Sequence, residues 1–208
     1  MEIPEMRADL EVIRKRPAMY VGSTGLFGFI NYLVCPVVLL LAHGAKRIDA
    51  LVTENGFEIN SDAVVPVERT AEGRIAPFQE LRSLGSGRSF EATVLTALSH
   101  ELYVSVDTGA RSEEWQFARG VLKSYTLTDT PRDARRTTLR FIPDDSIFTI
   151  TEVSPAVFQS YFRRLSYLNQ GIRFTVTAGE DQSAYFSENG MEDLFTSIGM
   201  CQVPERKK

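Results

Sequence analysis

The spacing of apolar positions changes along the chain, and each change marks a new element. From Leu26–Ala42 the residues are almost continuously apolar, LFGFINYLVCPVVLLLA. A spanning helix needs roughly 20 such residues, and Asn31 and Pro36 interrupt this run. It reads as a buried core helix rather than a span; residues 30–43 have helix length, with Gly44 as the C-cap. Proline inside a helix costs about 3 kcal/mol, so a kink at Pro36, or a second helical piece starting there, is expected. Upstream, residues 11–16 read as a short helix ended by Pro17.

Strand patterns then dominate. Residues 47–52 and 57–60 flank Glu54-Asn55-Gly56, a hairpin signal. Residues 89–99 read as a helix, and residues 101–107 alternate as a strand. Residues 114–119 and 122–129 continue an antiparallel pattern around Gly120, and residues 137–142 form a further strand closed by Pro143. Residues 154–169 carry helical spacing at Val157, Phe158, Tyr161, Phe162, Leu165 and Leu168, with Gly171 as the cap. Residues 172–177 and 183–186 read as a last hairpin and 191–198 as a terminal helix. This order predicts an α+β sandwich with helices packed on one face of the sheet.

Composition narrows the function classes. The 208 residues are 43% hydrophobic and 24% charged, with net charge -4. That is one globular domain of ordinary composition, without the basic footprint of a nucleic-acid binder. Direct DNA binding is therefore not expected. Local basic clusters at residues 14–16, at Arg132, Arg135 and Arg136, and at 206–208 read as solvated loops and a tail. Cys35 and Cys201 lack C-x-x-C spacing, the pattern of reduced thiols in a cytoplasmic protein. No His/Cys/carboxylate cluster has metal-ligand spacing, and no secretory signal or membrane span is read.

Three stretches carry a family resemblance. LEVIRKRPAMYVG at residues 10–22 is similar to L-x-x-V-R-K-R-P-x-M-Y-I-G. TTLRFIPDDSIF at 137–148 is similar to G-T-x-x-x-F-x-P-D-x-x-x-F, and FRRLSYLNQG at 162–171 to R-x-L-[AS]-[FY]-L-N-x-G. These patterns belong to the N-terminal ATPase domain of type II topoisomerases, the family of gyrase B and topoisomerase IV. Weaker similarity at 41–49, 97–106 and 115–120 extends the resemblance over nearly the whole chain. It implies the GHKL (Bergerat) fold, a two-layer α/β sandwich with helices on one face of a mixed, mostly antiparallel sheet. The expected organisation is an arm and first helix at 1–22, a single ATPase-type domain at 23–200 and a basic tail at 201–208, without the family's transducer domain.

The resemblance also says where chemistry belongs. The family places a general-base glutamate on its first long helix and a magnesium-binding asparagine one turn later. Alignment puts Asn31 or Tyr32 at the base and Cys35 or Pro36 at the metal ligand, depending on register. Residues 22–47 contain no Asp or Glu. An amide does not take a proton from water, and neither cysteine nor proline suits hard Mg²⁺. The adenine loop D-x-G-x-G-I-P is represented by residues 59–66, with Asp62 as the remaining acceptor and both glycines replaced. The lid G-G-L-H-G-V-G is represented by Gly85, Ser86, Gly87, Arg88, Ser89, Phe90 and Glu91, and a short Gly-Ser-Gly loop before a helix suits an anion. Thr137 stands where the family touches phosphate. The resemblance implies a vestigial nucleotide site at Asp62, Gly85, Gly87, Arg88 and Thr137.

The expectation is a pseudo-ATPase without catalytic residues or bound Mg²⁺. Such a protein would act by homodimerisation or by contact with a gyrase or topoisomerase IV subunit. Two alternatives stay open: a switch that binds ATP or ADP without turnover, and an ATPase subunit completed in trans.

Overall fold

The computed structural model describes residues 8–54, 56–69, 75–79, 90–129, 135–152 and 154–198. The described residues open with three helices, α1 (Ala8–Lys15), α2 (Ala18–Val21) and α3 (Leu26–Ala42). Pro17, at the N-cap of α2, ends α1 and starts the next turn in one step. A hairpin of β1 (Arg47–Val52) and β2 (Phe57–Ser61) follows, then a two-stranded ribbon, β3 (Glu68–Arg69) with β4 (Ile75–Ala76). Next come α4 (Phe90–Leu98), β5 (Ser99–Asp107), β6 (Ser112–Ala118), β7 (Val121–Thr128) and β8 (Arg136–Pro143). The last elements are α5 (Pro155–Leu168), β9 (Arg173–Ala178), β10 (Asp181–Tyr185) and α6 (Met191–Ser197).

Eight strands form one sheet in the order β10-β9-β1-β2-β8-β5-β6-β7. Only β1 and β9 pair in parallel; the other neighbours are antiparallel. Alternation explains the two faces. Phe57, Ile59, Leu139, Phe141, Leu102 and Val104 point to the helices and are buried. Glu58 and Arg140, one residue out of phase, meet as an ion pair at 2.7 Å on the other face. The expected α+β sandwich, with helices on one face of a mixed sheet, is the observed architecture.

Two sequence expectations are corrected. α3 is one helix, Leu26–Ala42, with Pro36 inside it, rather than two helical pieces meeting there. Its residues Phe29, Tyr32, Val37, Leu39 and Leu40 are all fully buried. Burial of one such side chain contributes about 1.5–3 kcal/mol, so packing along the helix outweighs the proline. The C-cap of α5 is Asn169, whose N–H donates to the Leu165 carbonyl at 2.8 Å. Gly171, at φ +76°, instead turns the chain into β9. Gly44, at φ +80°, closes α3 as expected.

Candidate functional site

Two of the motifs that carry the family resemblance meet at one carboxylate. The Arg14 guanidinium, on α1, lies 2.6 Å from Asp144, just past β8, and also donates to the Ala97 carbonyl at 2.6 Å at the end of α4. Arg119, from the β6–β7 turn, approaches the same Asp144 oxygen at 3.3 Å and His100 at 3.2 Å. The other Asp144 oxygen accepts from the Ser146 backbone at 3.0 Å and hydroxyl at 2.6 Å. Burial alone would raise this carboxyl, but the bonds from Ser146 and Arg14 outweigh it and hold it below the ordinary carboxylate range. His100, Asp144 and Asp145 bring ligand atoms within 4.8 Å of one another. Two guanidinium groups, from Arg14 and Arg119, already supply positive charge at this cluster. The pairing joins residues 130 positions apart, which is why neither motif gives a local hint of the other.

The helix that should carry the catalytic pair is occupied otherwise. Asn31 is exposed, and its amide donates to the Val21 carbonyl at 2.9 Å, tying α3 back to α2. Tyr32 is fully buried against Phe141 and Phe148. Its hydroxyl meets Ser99 at 2.7 Å, and Ser99 in turn donates to Leu95 at 2.6 Å. Burial pushes the Tyr32 hydroxyl well above its usual range, which keeps it protonated. Cys35 is buried, and its thiol donates to the Asn31 carbonyl at 3.4 Å. Burial, helped by the Glu91 carboxylate, pushes that thiol up to about 12. Cys35 is thus held as a buried thiol, and buried Pro36 offers no side-chain donor atom.

Of the expected nucleotide-site residues, two are described: Asp62, which is exposed, and Thr137, which is buried. Asp62 is exposed and faces away from the core, one residue beyond inward-facing Ser61. One of its oxygens accepts from the backbone N–H groups of Lys46 and Arg47 at 2.9 and 3.0 Å, holding the entry to β1. The register places Ser61, not Asp62, opposite Thr137. Thr137 is fully buried, and its hydroxyl accepts from the Val65 N–H at 3.1 Å. Gly85, Gly87 and Arg88 lie outside the described residues. Glu91 is described, in the first turn of α4. It stands at the last position of the lid pattern, where the family has glycine, and near enough to Cys35 to act on its thiol. The lid pattern includes Glu91 but assigns it no role.

Cys35 gives a direct check of this geometry. With Cys201 replaced by serine, Cys35 is expected to react with an aromatic disulfide reagent only at the rate at which the fold opens, and at once in denaturant. Prompt stoichiometric labelling of the native protein is the contrary result.

An eight-stranded mixed sheet with α1, α3, α4 and α5 on one face is the architecture of the GHKL ATPase domains. The chain is homologous to the ATPase domain of DNA gyrase B. It is 28% identical over 91% of its length to gyrase B of Campylobacter jejuni, and 30% identical over 89% to that of Haloferax volcanii. It spans 28% and 33% of those proteins, about a third of their length. The 43K ATPase domain of Thermus thermophilus gyrase B, solved with an aminocoumarin, superposes with a TM-score of 0.82 at 23% identity. That match covers 96% of this chain and 57% of the other. No family model matches the chain.

Proposed function

We propose that this chain is a gyrase-B-type ATPase fold that has lost hydrolysis and works as a binding or regulatory protein, pairing with itself or with a topoisomerase subunit. One observation carries the reading. At the base and metal positions stand, in one register, an amide committed to the Val21 carbonyl and a buried thiol, and in the other buried Tyr32 and Pro36. Glu91 adds a carboxylate where phosphate oxygens would need backbone N–H groups, and like charges repel most strongly away from water. Hydrolysis needs a positioned base and a metal to neutralise the phosphates; these residues supply neither.

The surface supports a partner. Met19 on α2 and Phe27 at the start of α3 stand at 72% and 69% exposure, and neighbouring Leu26 is half exposed. This reading takes them as a contact site. They lie on or next to the arm whose sequence is best kept.

Calorimetry with ATP and ADP in Mg²⁺ is expected to give no heat at millimolar nucleotide, and phosphate release is expected at buffer background. Light scattering should show a dimer weakened by Phe27→Glu, or a gyrase or topoisomerase IV subunit should retain the protein in a pulldown. Turnover that vanishes in Glu91→Gln would overturn the reading by revealing a relocated base. Binding without turnover would replace it with a nucleotide switch. A strict monomer that no topoisomerase subunit retains would also overturn it.

A further inference from the structure

β7 ends the eight-stranded sheet: one side pairs with β6, and among the described residues no strand covers the other. Natural sheets blunt such an edge with charge, proline or a bulge. Here the register slips between Gln116 and Phe117, leaving Lys123 as the extra residue near one end of β7. Beyond it, Ser124, Tyr125, Thr126, Leu127 and Thr128 carry no charge, proline or glycine. Tyr125 and Leu127 are 37% and 45% exposed. The edge is also held in place. The Tyr125 ring packs 5.6 Å from Trp115, its hydroxyl donates to Glu113 at 3.0 Å, and the Arg69 guanidinium lies 4.8 Å above it.

We propose that β7 pairs antiparallel with β7 of a second copy about a two-fold axis at Thr126, joining two sheets edge to edge. The sequence of the strand is the argument for a second copy rather than some other extended segment. In that register Tyr125 of each copy faces Leu127 of the other, Ser124 faces Thr128, and Lys123 faces the exposed Asp129. Aromatic–aliphatic and opposite-charge neighbours are the cross-strand pairs that stabilise a ladder. Both occur twice by symmetry, and no like charges meet. Any strand would gain the backbone bonds; β7 supplies its own matching side chains. The contact is isologous and smaller than a standard interface, so it is a weak dimer that forms with rising concentration. It lies on a different surface from Met19 and Phe27, so it stands or falls separately from the role proposed above.

The test uses the full chain with Cys201→Ser, which leaves buried Cys35 as the remaining native thiol. Thr126→Cys places two thiols on the two-fold axis, within disulfide range. Ser124→Cys places them roughly 13 Å apart, four residues of strand. Under mild oxidation Thr126→Cys is expected to form a covalent dimer at least about tenfold faster than Ser124→Cys. Light scattering of the unlabelled chain is expected to rise towards twice the monomer mass with concentration. Leu127→Lys, checked for folding by circular dichroism, should weaken that association roughly tenfold or more. A monomer at every concentration, or equal crosslinking at 124 and 126, overturns the proposal. So does a dimer that Phe27→Glu breaks and Leu127→Lys leaves intact, an outcome that would favour the other surface instead.

Discussion

Asp144→Asn is expected to lower the unfolding free energy by about 3–5 kcal/mol, the usual consequence of removing one partner from a buried ion pair. The Asp144 side chain is 0% exposed and that of Arg14 14%, so solvent screens the interaction little. The substitution leaves Arg14, largely buried, facing an uncharged amide, while half-exposed Arg119 keeps its solvation. It also loosens three junctions together: α1, the end of α4 through Ala97, and the β6–β7 turn. For a chain of 208 residues the fall in Tm is on the order of 10 °C. Urea unfolding is the measurement, with an unchanged m-value showing that stability rather than compactness moved. Adding Arg14→Met to Asp144→Asn should recover part of the loss, because the stranded cation goes too. A change below about 1 kcal/mol would fit an exposed pair and refute this account. The pH dependence follows from the sign of the shift. The folded carboxyl titrates below its unfolded value of about 3.9. Its contribution is therefore full above that value and lost as pH falls through the lower folded one. The wild type should show an acid-limb loss of stability that Asp144→Asn lacks.

This ion pair also shows which features are legible in the sequence. Elements whose signals are local read closely: the β1–β2 hairpin from its Asn-Gly turn, the alternating strands from β5 to β8, and α5 from its apolar stripe. Pro36 misleads because propensity is a local quantity, while the burial that overrides it comes from β2, β8 and α4 packing around α3. Asp62 is the natural acid to choose by residue type. The period-two alternation of Phe57, Ile59 and Ser61 nevertheless puts it on the outer face, away from Thr137. The matched motifs flag Arg14 and Asp144 separately, but no spacing rule connects side chains 130 residues apart. The acid-free character of residues 22–47 needs no structure at all. What the structure adds is what those side chains do instead: they hold α2, Ser99 and the core.

The entry to α3 should be the other sensitive point, and it sets two glycines three residues apart against each other. A Cβ on Gly28 would sit 1.7 Å from the Ser23 carbonyl oxygen and 2.5 Å from its carbon. Those are backbone atoms, so no rotamer change relieves the clash; the turn at 23–25 or the first turn of the helix must move. Moving it breaks the bond from the Gly28 N–H to the Ser23 hydroxyl at 3.0 Å, which satisfies an orphan donor of the helix start. It also strains the Thr149–Thr24 backbone bond at 3.0 Å that anchors the turn to the loop after β8. Overpacking typically costs about 1–3 kcal/mol; with rigid backbone on both sides Gly28→Ala should reach or exceed about 3 kcal/mol, a large part of a typical domain's stability. Gly25 is the opposite case. It is the N-cap, with φ -88° and no side chain to cap, and a Cβ there meets nothing closer than Thr149 at 3.9 Å. Gly25→Ser supplies the missing acceptor and should hold or raise stability by a few tenths of a kcal/mol. Thermal unfolding of the two variants side by side decides the matter. If Gly28→Ala melts within about 2 °C of the wild type, the turn is softer than its contacts imply, and the close approach of Ser23 to α3 is not what fixes the helix.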